Sequence, residues 1–265
     1  LRSSFKGWPC MTSISIPETV KCIESFAFCG CTSLKEIELP SSTETIGDTA
    51  FGECSSLTKI TIPNSVKEIG ASAFSGCIFL KEIEIPSSIT SISDYMFGGC
   101  LLLSKVVIPS SVESIGNSSF RGCCELVSIT VPSSVKSIGA SCFQGCSSLQ
   151  EFIIPSSLDM IQPYLFKDCK SLQQITIPSS VVSICTHAFT KCTALKEIII
   201  PSSVNSIGIY AFSECTSLET VSIDPSVELI GKNIFIGCGS LKNISKPEEF
   251  TDQFLGISRR NTAFE

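Results

Sequence analysis

Apolar positions return along this chain every 23 residues, and proline at 17, 40, 63, 86, 109, 132, 155, 178 and 201 marks the period most plainly. Written from its proline, the unit reads I-P-x-S-V-x-x-I-G-x-x-A-F-x-x-C-x-S-L-x-x-I-x-I, and ten such units run from 17 to about 246. Phenylalanine recurs at 5, 28, 51, 74, 97, 120, 143, 166, 189, 212 and 235. Cysteine recurs at 31, 54, 77, 100, 123, 146, 169, 192, 215 and 238, each followed three positions later by leucine. Asp224 takes the proline's place in the last unit, while Val227, Ile230 and Phe235 keep the phase. A unit this short cannot bury its apolar face alone, so the units must stack on one another as a solenoid.

Two shorter periods lie inside each unit. Leu34-x-x-Ile37-x-Leu39 alternates with a period of two, which predicts a short strand with its isoleucines inward. The same stretch matches the L-x-x-L-x-L core of leucine-rich repeats, with Thr19, Ser42, Ser65 and Ser88 in the slot where that pattern carries Asn or Cys. Stacked at about 4.8 Å, these strands make one parallel sheet roughly 50 Å long. The proline that follows has no N–H and should end each strand. The other half, Val-x-x-Ile-Gly-x-x-Ala-Phe-x-x-Cys, spaces its apolar residues three and four apart, which predicts one to two helical turns packing the Phe on the sheet. Gly47, Gly70, Gly116, Gly139, Gly208 and Gly231 suggest a turn with positive φ, although Glu24, Ser93, Gln162 and Cys185 fill the same slot. The expected fold is an α/β solenoid of 23-residue repeats.

The ends depart from the pattern, as an open-ended core demands. Residues 1–16 read as a partial repeat, with Trp8 in the cysteine slot to cover the exposed end, and residues 17–246 as the ten repeats. Residues 247–265 read as a C-terminal cap and tail. Ser245 with Glu248 forms a capping-box pattern, Phe250 and Phe254 are four apart and Gly256 is a stop, which predicts a helix over 246–255. Ser258 to Glu265 is expected to fray.

Charged residues make up 17% of the chain, the net charge is −6, and Arg259-Arg260 is the only basic doublet. That leaves no electrostatic footprint for nucleic acid. No run approaches eighteen apolar residues, so no membrane insertion is expected within this chain. It starts at Leu1 with no signal-like segment and reads as a trimmed or processed fragment. Ten of the sixteen cysteines occupy one column, where parallel neighbours place Cβ atoms near 4.8 Å, beyond disulfide reach, so buried thiols are expected. Cys10, Cys22, Cys29, Cys124, Cys142 and Cys185 share no slot, and a local bridge or a free thiol stays open for each. Cys29-x-Cys31, Cys123-Cys124 and Cys142-x-x-x-Cys146 do not make a zinc site. His187 is the only histidine, and no phosphate loop or nucleophile elbow is present. Ser134, Ser157 and Ser180 belong to a repeated column and should bond neighbouring backbone. No catalytic residue, cofactor or metal is expected.

Recognition must therefore sit where units differ. One outward strand file carries Glu36, Lys59, Glu82 and Lys105, whose alternating signs would also support the sheet by cross-strand pairing; the next carries Val107, Ile153 and Ile199. Tyr164, His187 and Tyr210 share one slot on consecutive units, either as a binding surface or as shielding for the outer layer. Ile78 and Phe79 fall beside Leu101 and Leu102, a contact for a partner or a second copy of the chain, or else extra packing toward the core.

Units such as Ile129-Thr-Val-Pro-Ser-Ser-Val-Lys-Ser-Ile-Gly-Ala-Ser-Cys-Phe-Gln-Gly-Cys-Ser-Ser-Leu149 resemble those of the BspA-like leucine-rich repeat proteins, the Treponema pallidum type, over residues 5 to about 246. The resemblance implies a right-handed leucine-rich-repeat superhelix, often a cell-surface ectodomain that binds host matrix proteins or other cells without enzymatic activity. A secreted or cell-surface adhesion module is the expectation, and the sequons at Asn117 and Asn243 are compatible with it. A cytoplasmic scaffold for a cytosolic partner is the alternative, which a thiol-rich core also suits.

Overall fold

The computed structural model describes residues 4–257. The chain winds as a solenoid of about ten coils of 23 residues. Two files of parallel strands run along it where the sequence suggested one. The first is the expected strand, with its central residue inward: Glu36–Glu38, Lys59–Thr61, Glu82–Glu84, Lys105–Val107, Glu197–Ile200, Thr220–Ile223 and Asn243–Ser245. The second consists of two-residue strands such as Cys22–Ile23, Thr45–Ile46 and Ser114–Ile115, each with its isoleucine buried. These lie in the half expected to be helical.

No helix forms inside the described repeats, and the reason is visible in the backbone. Two residues of each coil adopt the left-handed conformation, which ends any right-handed helix within a turn. One is the slot of Phe26, Tyr95, Tyr164, His187 and Tyr210, with φ of 55° to 61°. The other is four residues later, with φ of 76° at Gly30 and 59° at Glu53. Between them the N–H groups alternate in direction. Phe26, Phe28 and Gly30 donate to Asp48, Ala50 and Gly52 of the next coil at 2.8 to 2.9 Å, while Ala27, Cys29 and Cys31 close turns within their own coil. The segment thus pairs coil to coil as a strand would, although its path is a chain of turns.

The Gly47 slot works differently from the expectation. Its glycines do not take positive φ; they let neighbouring coils touch. A Cβ on Gly47 would come within 2.5 Å of the Ser25 nitrogen, and one on Gly139 within 2.5 Å of the Asn117 nitrogen.

The interior is built of like over like. The rings from Phe5 to Phe235 stack in one unbroken pile, with centroids 5.1 to 5.9 Å apart. At that spacing near-parallel rings are offset, the favoured arrangement. Each column thiol donates to the carbonyl of the preceding coil's phenylalanine, from Cys31 on Phe5 at 3.1 Å to Cys238 on Phe212 at 3.1 Å. Phe28 O shows the economy of the arrangement, accepting Cys31 N–H and the Cys54 thiol together. The serine column bonds backbone in most coils: Ser42 donates to Val20 O at 2.8 Å, Ser65 to Thr43 O at 2.6 Å, Ser134 to Val112 O at 2.7 Å and Ser157 to Val135 O. The hydroxyl of Ser180, expected to do the same, is instead buried without a partner among the described residues, as is that of Ser203. All sixteen cysteines are free thiols.

At the N-terminal end Trp8 stands edge-on to Phe5 at 5.5 Å and stays 55% exposed, so its ring only partly covers the pile. At the other end the helix is Asp252–Leu255, much shorter than the stretch the Ser245 and Glu248 pattern suggested. Thr251 is its N-cap, accepting from Phe254 N, and Gly256 ends it at φ 77°. It continues the ladder, because Asn233 N and Phe235 N donate to Phe254 O and Leu255 O at 2.9 Å. The expected fraying of Ser258 to Glu265 lies outside the described residues.

Two outcomes follow from this interior. Phe120→Ala in the middle of the pile should cost about 3–5 kcal/mol by leaving a cavity no neighbour can fill, read as a shift in the urea midpoint; a shift below 1 kcal/mol would mean that the pile is not the spine. Burial pushes the column thiols up, Cys54 and Cys100 to about 12, while an unfolded thiol stays near 8.5. The thiolate therefore favours the unfolded chain. Stability should be full below about pH 8.5 and fall steeply as pH climbs from there toward about 12. A midpoint that stays constant to pH 10.5 would contradict the buried thiol ladder.

Candidate protein-interaction surface

Strand register brings the predicted outward residues together. Glu36 lies opposite Lys59 and Glu82 opposite Lys105, with Glu84 opposite Val107 and Ile199 opposite Ser222. The expected Glu–Lys cross-strand support is only a matter of register, since among the described residues these side chains close no ion pair. Among the described residues the ion pairs between successive coils lie elsewhere: Lys21 with Glu44 at 3.0 Å, Glu113 with Lys136 at 2.7 Å, Lys191 with Glu214 at 3.7 Å and Glu219 with Lys242 at 3.2 Å. Beside the strands and their prolines run open grooves, one of about 600 Å³ along Lys59 to Val107 and one of about 390 Å³ between Glu151 and Pro178. Ile153 stands on this face 85% exposed and Ile199 59%, with Val107 less so.

Tyr164, His187 and Tyr210 form a stack, each step 5.0 Å and within 11° of parallel. The left-handed backbone at each position aims the three rings the same way. Such a conformation costs on the order of 1–2 kcal/mol in a residue with a side chain, which the stacking helps to offset. Lys167 lies 5.6 Å from the Tyr164 ring. Beneath the stack, the Thr190 hydroxyl lies 2.8 Å from Tyr210 O, 3.0 Å from His187 Nδ1 and 2.9 Å from the Ser213 hydroxyl, a hydrogen-bonded cluster that ties the imidazole to the next coil. Burial, with Lys167 adding, holds its pKa below the usual imidazole value.

Phe79 and Leu101 are exposed beside half-buried Ile78 and Leu102, and Leu102 N donates to Ile78 O at 3.1 Å, so adjacent coils do assemble the apolar patch. Val127, in the following coil, is a further exposed apolar residue that the sequence reading missed. It also missed a groove of about 650 Å³ lined by Ile209, Leu229 and Phe250 on the short-strand side. Leu229 is 69% exposed there. With that half read as helix, Leu229 had no assigned outward face; the available signal was an apolar residue in the slot that holds Ser91, Ser114, Ser137, Ser183 and Ser206 in other coils. Among the described residues no group of three or more His, Cys, Asp or Glu could hold a metal, and no helix is long and apolar enough to cross a membrane.

Residues 2–126 and 113–242 match a family model for the BspA type leucine rich repeat region. The chain belongs to the BspA-type leucine-rich repeat family. It is similar to a leucine-rich repeat protein of Bacteroides ovatus at 33% identity and a TM-score of 0.70, covering 93% of this chain and 58% of that one. It is also similar to a leucine rich cell surface protein of Faecalibacterium prausnitzii at 32% identity and a TM-score of 0.57, covering 94% and 82%. No curated protein matches. The BspA-type repeat accounts for the shared columns, and repeats of this family generally serve protein interaction.

The stack makes a measurable prediction about His187. Because its folded pKa is depressed, the neutral ring's contribution to stability is present above the unfolded value of about 6.5 and is lost as pH falls through the folded value. NMR titration should show His187 ionising below 6.5, and Thr190→Val should move that titration. A pKa at or above 6.5 would contradict the described burial.

Proposed function

We propose that this chain is a non-enzymatic protein-interaction module, part of a cell-surface ectodomain that adheres to host or matrix proteins. The carrying observation is the exposure of Ile153 and Ile199 on the outward strand face, with Ile153 lining an open groove. The Phe, Cys and Leu columns repeat in every coil from 17 to 241, so the variety that can encode a partner lies mainly on the outside, where the strand face is a broad part. The similar Faecalibacterium protein is a cell surface protein, which supports the location. The apolar patch of Ile78, Phe79, Leu101 and Leu102 is a second contact, for the partner or for another copy of the chain.

One observation favours a different location. All sixteen cysteines are free, and a row of buried thiols suits a reducing compartment, where the same face would serve as an intracellular scaffold. Antibody staining of intact, unpermeabilised cells separates the two.

Adhesion of the purified chain to immobilised matrix proteins tests the face itself. Val107→Asp, Ile153→Asp and Ile199→Asp should each weaken binding by about 1–2 kcal/mol, roughly five- to thirtyfold in Kd, while Ser110→Ala and Ser133→Ala leave it unchanged. Equal effects of the two sets, with all variants folded, would remove the strand face as the contact.

A further inference from the structure

Among the described residues, the short-strand ladder breaks at two steps: between Glu68–Ile69 and Ser91–Ile92, and between Ser137–Ile138 and Met160–Ile161. Both steps meet the same change in sequence. The glycine that closes the short strand is replaced by a residue with a side chain, Gly70 by Ser93 and Gly139 by Gln162. At this slot a Cβ points into the backbone of the preceding coil, so a side chain must hold the coils apart. At intact steps the glycine N–H donates to the isoleucine one coil back, as Gly70 does to Ile46 O and Gly139 to Ile115 O, both at 2.8 Å. Among the described residues neither Ser93 N nor Gln162 N makes that bond.

The two breaks differ in what remains. Ser93 supplies its hydroxyl to Ile69 O at 2.6 Å, and the longer strands beside it stay zipped, with Ile83 opposite Val106. Gln162 makes no such replacement, and the longer strands of that step are reduced to the lone bridge between Glu151 and Gln174. The next residue is Pro163, which has no N–H to make the bond that Ala140 N makes to the Asn117 carboxamide at 2.9 Å. Phe152 fills the slot that holds Ile or Val in other coils and wedges against Phe143 at 5.0 Å and Phe166 at 4.9 Å. Those two rings are 5.9 Å apart, the widest step of the pile. Cys185, one coil later, also replaces the glycine, yet its N–H reaches Ile161 O at 2.9 Å, so the break at 162 needs Pro163 and Phe152 beside it as well as the side chain in this slot. On the turn side Phe143 N donates to Leu165 O at 3.1 Å and Gly145 N to Lys167 O at 2.8 Å, and beside the longer strands Gln173 N still donates to Gln150 O at 3.2 Å, so the rung that is missing from this joint is the short-strand one.

We propose that this step, between the coil starting at Pro132 and the coil starting at Pro155, is a hinge that opens first and lets the solenoid swing as two blocks. In a stack held by nearest-neighbour contacts, the joint with fewest bonds sets where cooperativity divides. The turn-side bonds act as the pivot and the short-strand side opens. The groove between Glu151 and Pro178 spans the joint, so its opening changes the setting of Ile153.

Hydrogen exchange on the intact chain, read by mass spectrometry, tests this. Amides at 160–162 should exchange about tenfold faster or more than their equivalents at 137–139 and 183–185. Gln162→Gly should slow them to the rate of the flanking coils. Since glycine can itself loosen a loop, Gln162→Ser is the companion variant, expected to slow exchange by donating to Ile138 O as Ser93 does to Ile69 O. Equal exchange across the three segments overturns the hinge. Fast exchange at 160–162 that neither variant slows overturns its assignment to the side chain at 162.

Discussion

The structure depends on backbone hydrogen bonds from the turn segment of each coil to the same segment of the next. Phe28 N to Ala50 O and its equivalents bring the coils to a pitch near 5 Å on the side away from the longer strands. That pitch is close to the spacing of paired strands. A helix there would need about 10 Å, and the phenylalanines could not then pile ring on ring. The left-handed residues that break the helix are thus also what allows the aromatic pile and the thiol ladder to exist. Cysteine suits its column because it is small and apolar yet carries a weak donor, which finds the one carbonyl lone pair left free by the turn.

Much of this was legible in the chain, because a periodic sequence reports equivalence without any need to know the conformation. The Phe column, the Cys column and the alignment of Tyr164, His187 and Tyr210 required only that unit follow unit in register. Conformation within the unit was harder to read. Apolar residues three and four apart fit a helix, but they fit equally a path of tight turns, and only the glycine of Phe-x-Gly-Cys at Gly30, Gly76, Gly99, Gly122 and Gly145 marked a left-handed turn. The Gly47 slot was misread for the opposite reason. A recurring glycine signals either positive φ or close approach, and the sequence does not say which. The helix at the C-terminal end began later than expected because Thr251, not Ser245, supplies the cap.

Uniformity inside and variety outside also explain how one scaffold serves recognition. Substitutions on the outward face leave the stack intact, so charge can dominate from Glu36 to Lys105 and aliphatic residues from Ile153 to Ile199 without cost to the fold. Substitutions that touch the contact between coils are not free in this way. Gln162 and Phe152 alter how adjacent coils meet, and the bonds lost between them change the mechanics of the whole length.

The most direct test of the coil-to-coil bonding is the measurement, by NMR, of scalar couplings across hydrogen bonds in the turn segments. The structure predicts coupling from Phe28 N to the carbonyl carbon of Ala50, from Phe120 N to that of Cys142, and likewise along the chain. Couplings that instead join each of these amides to the residue four positions earlier would show a helix in every coil and contradict the account.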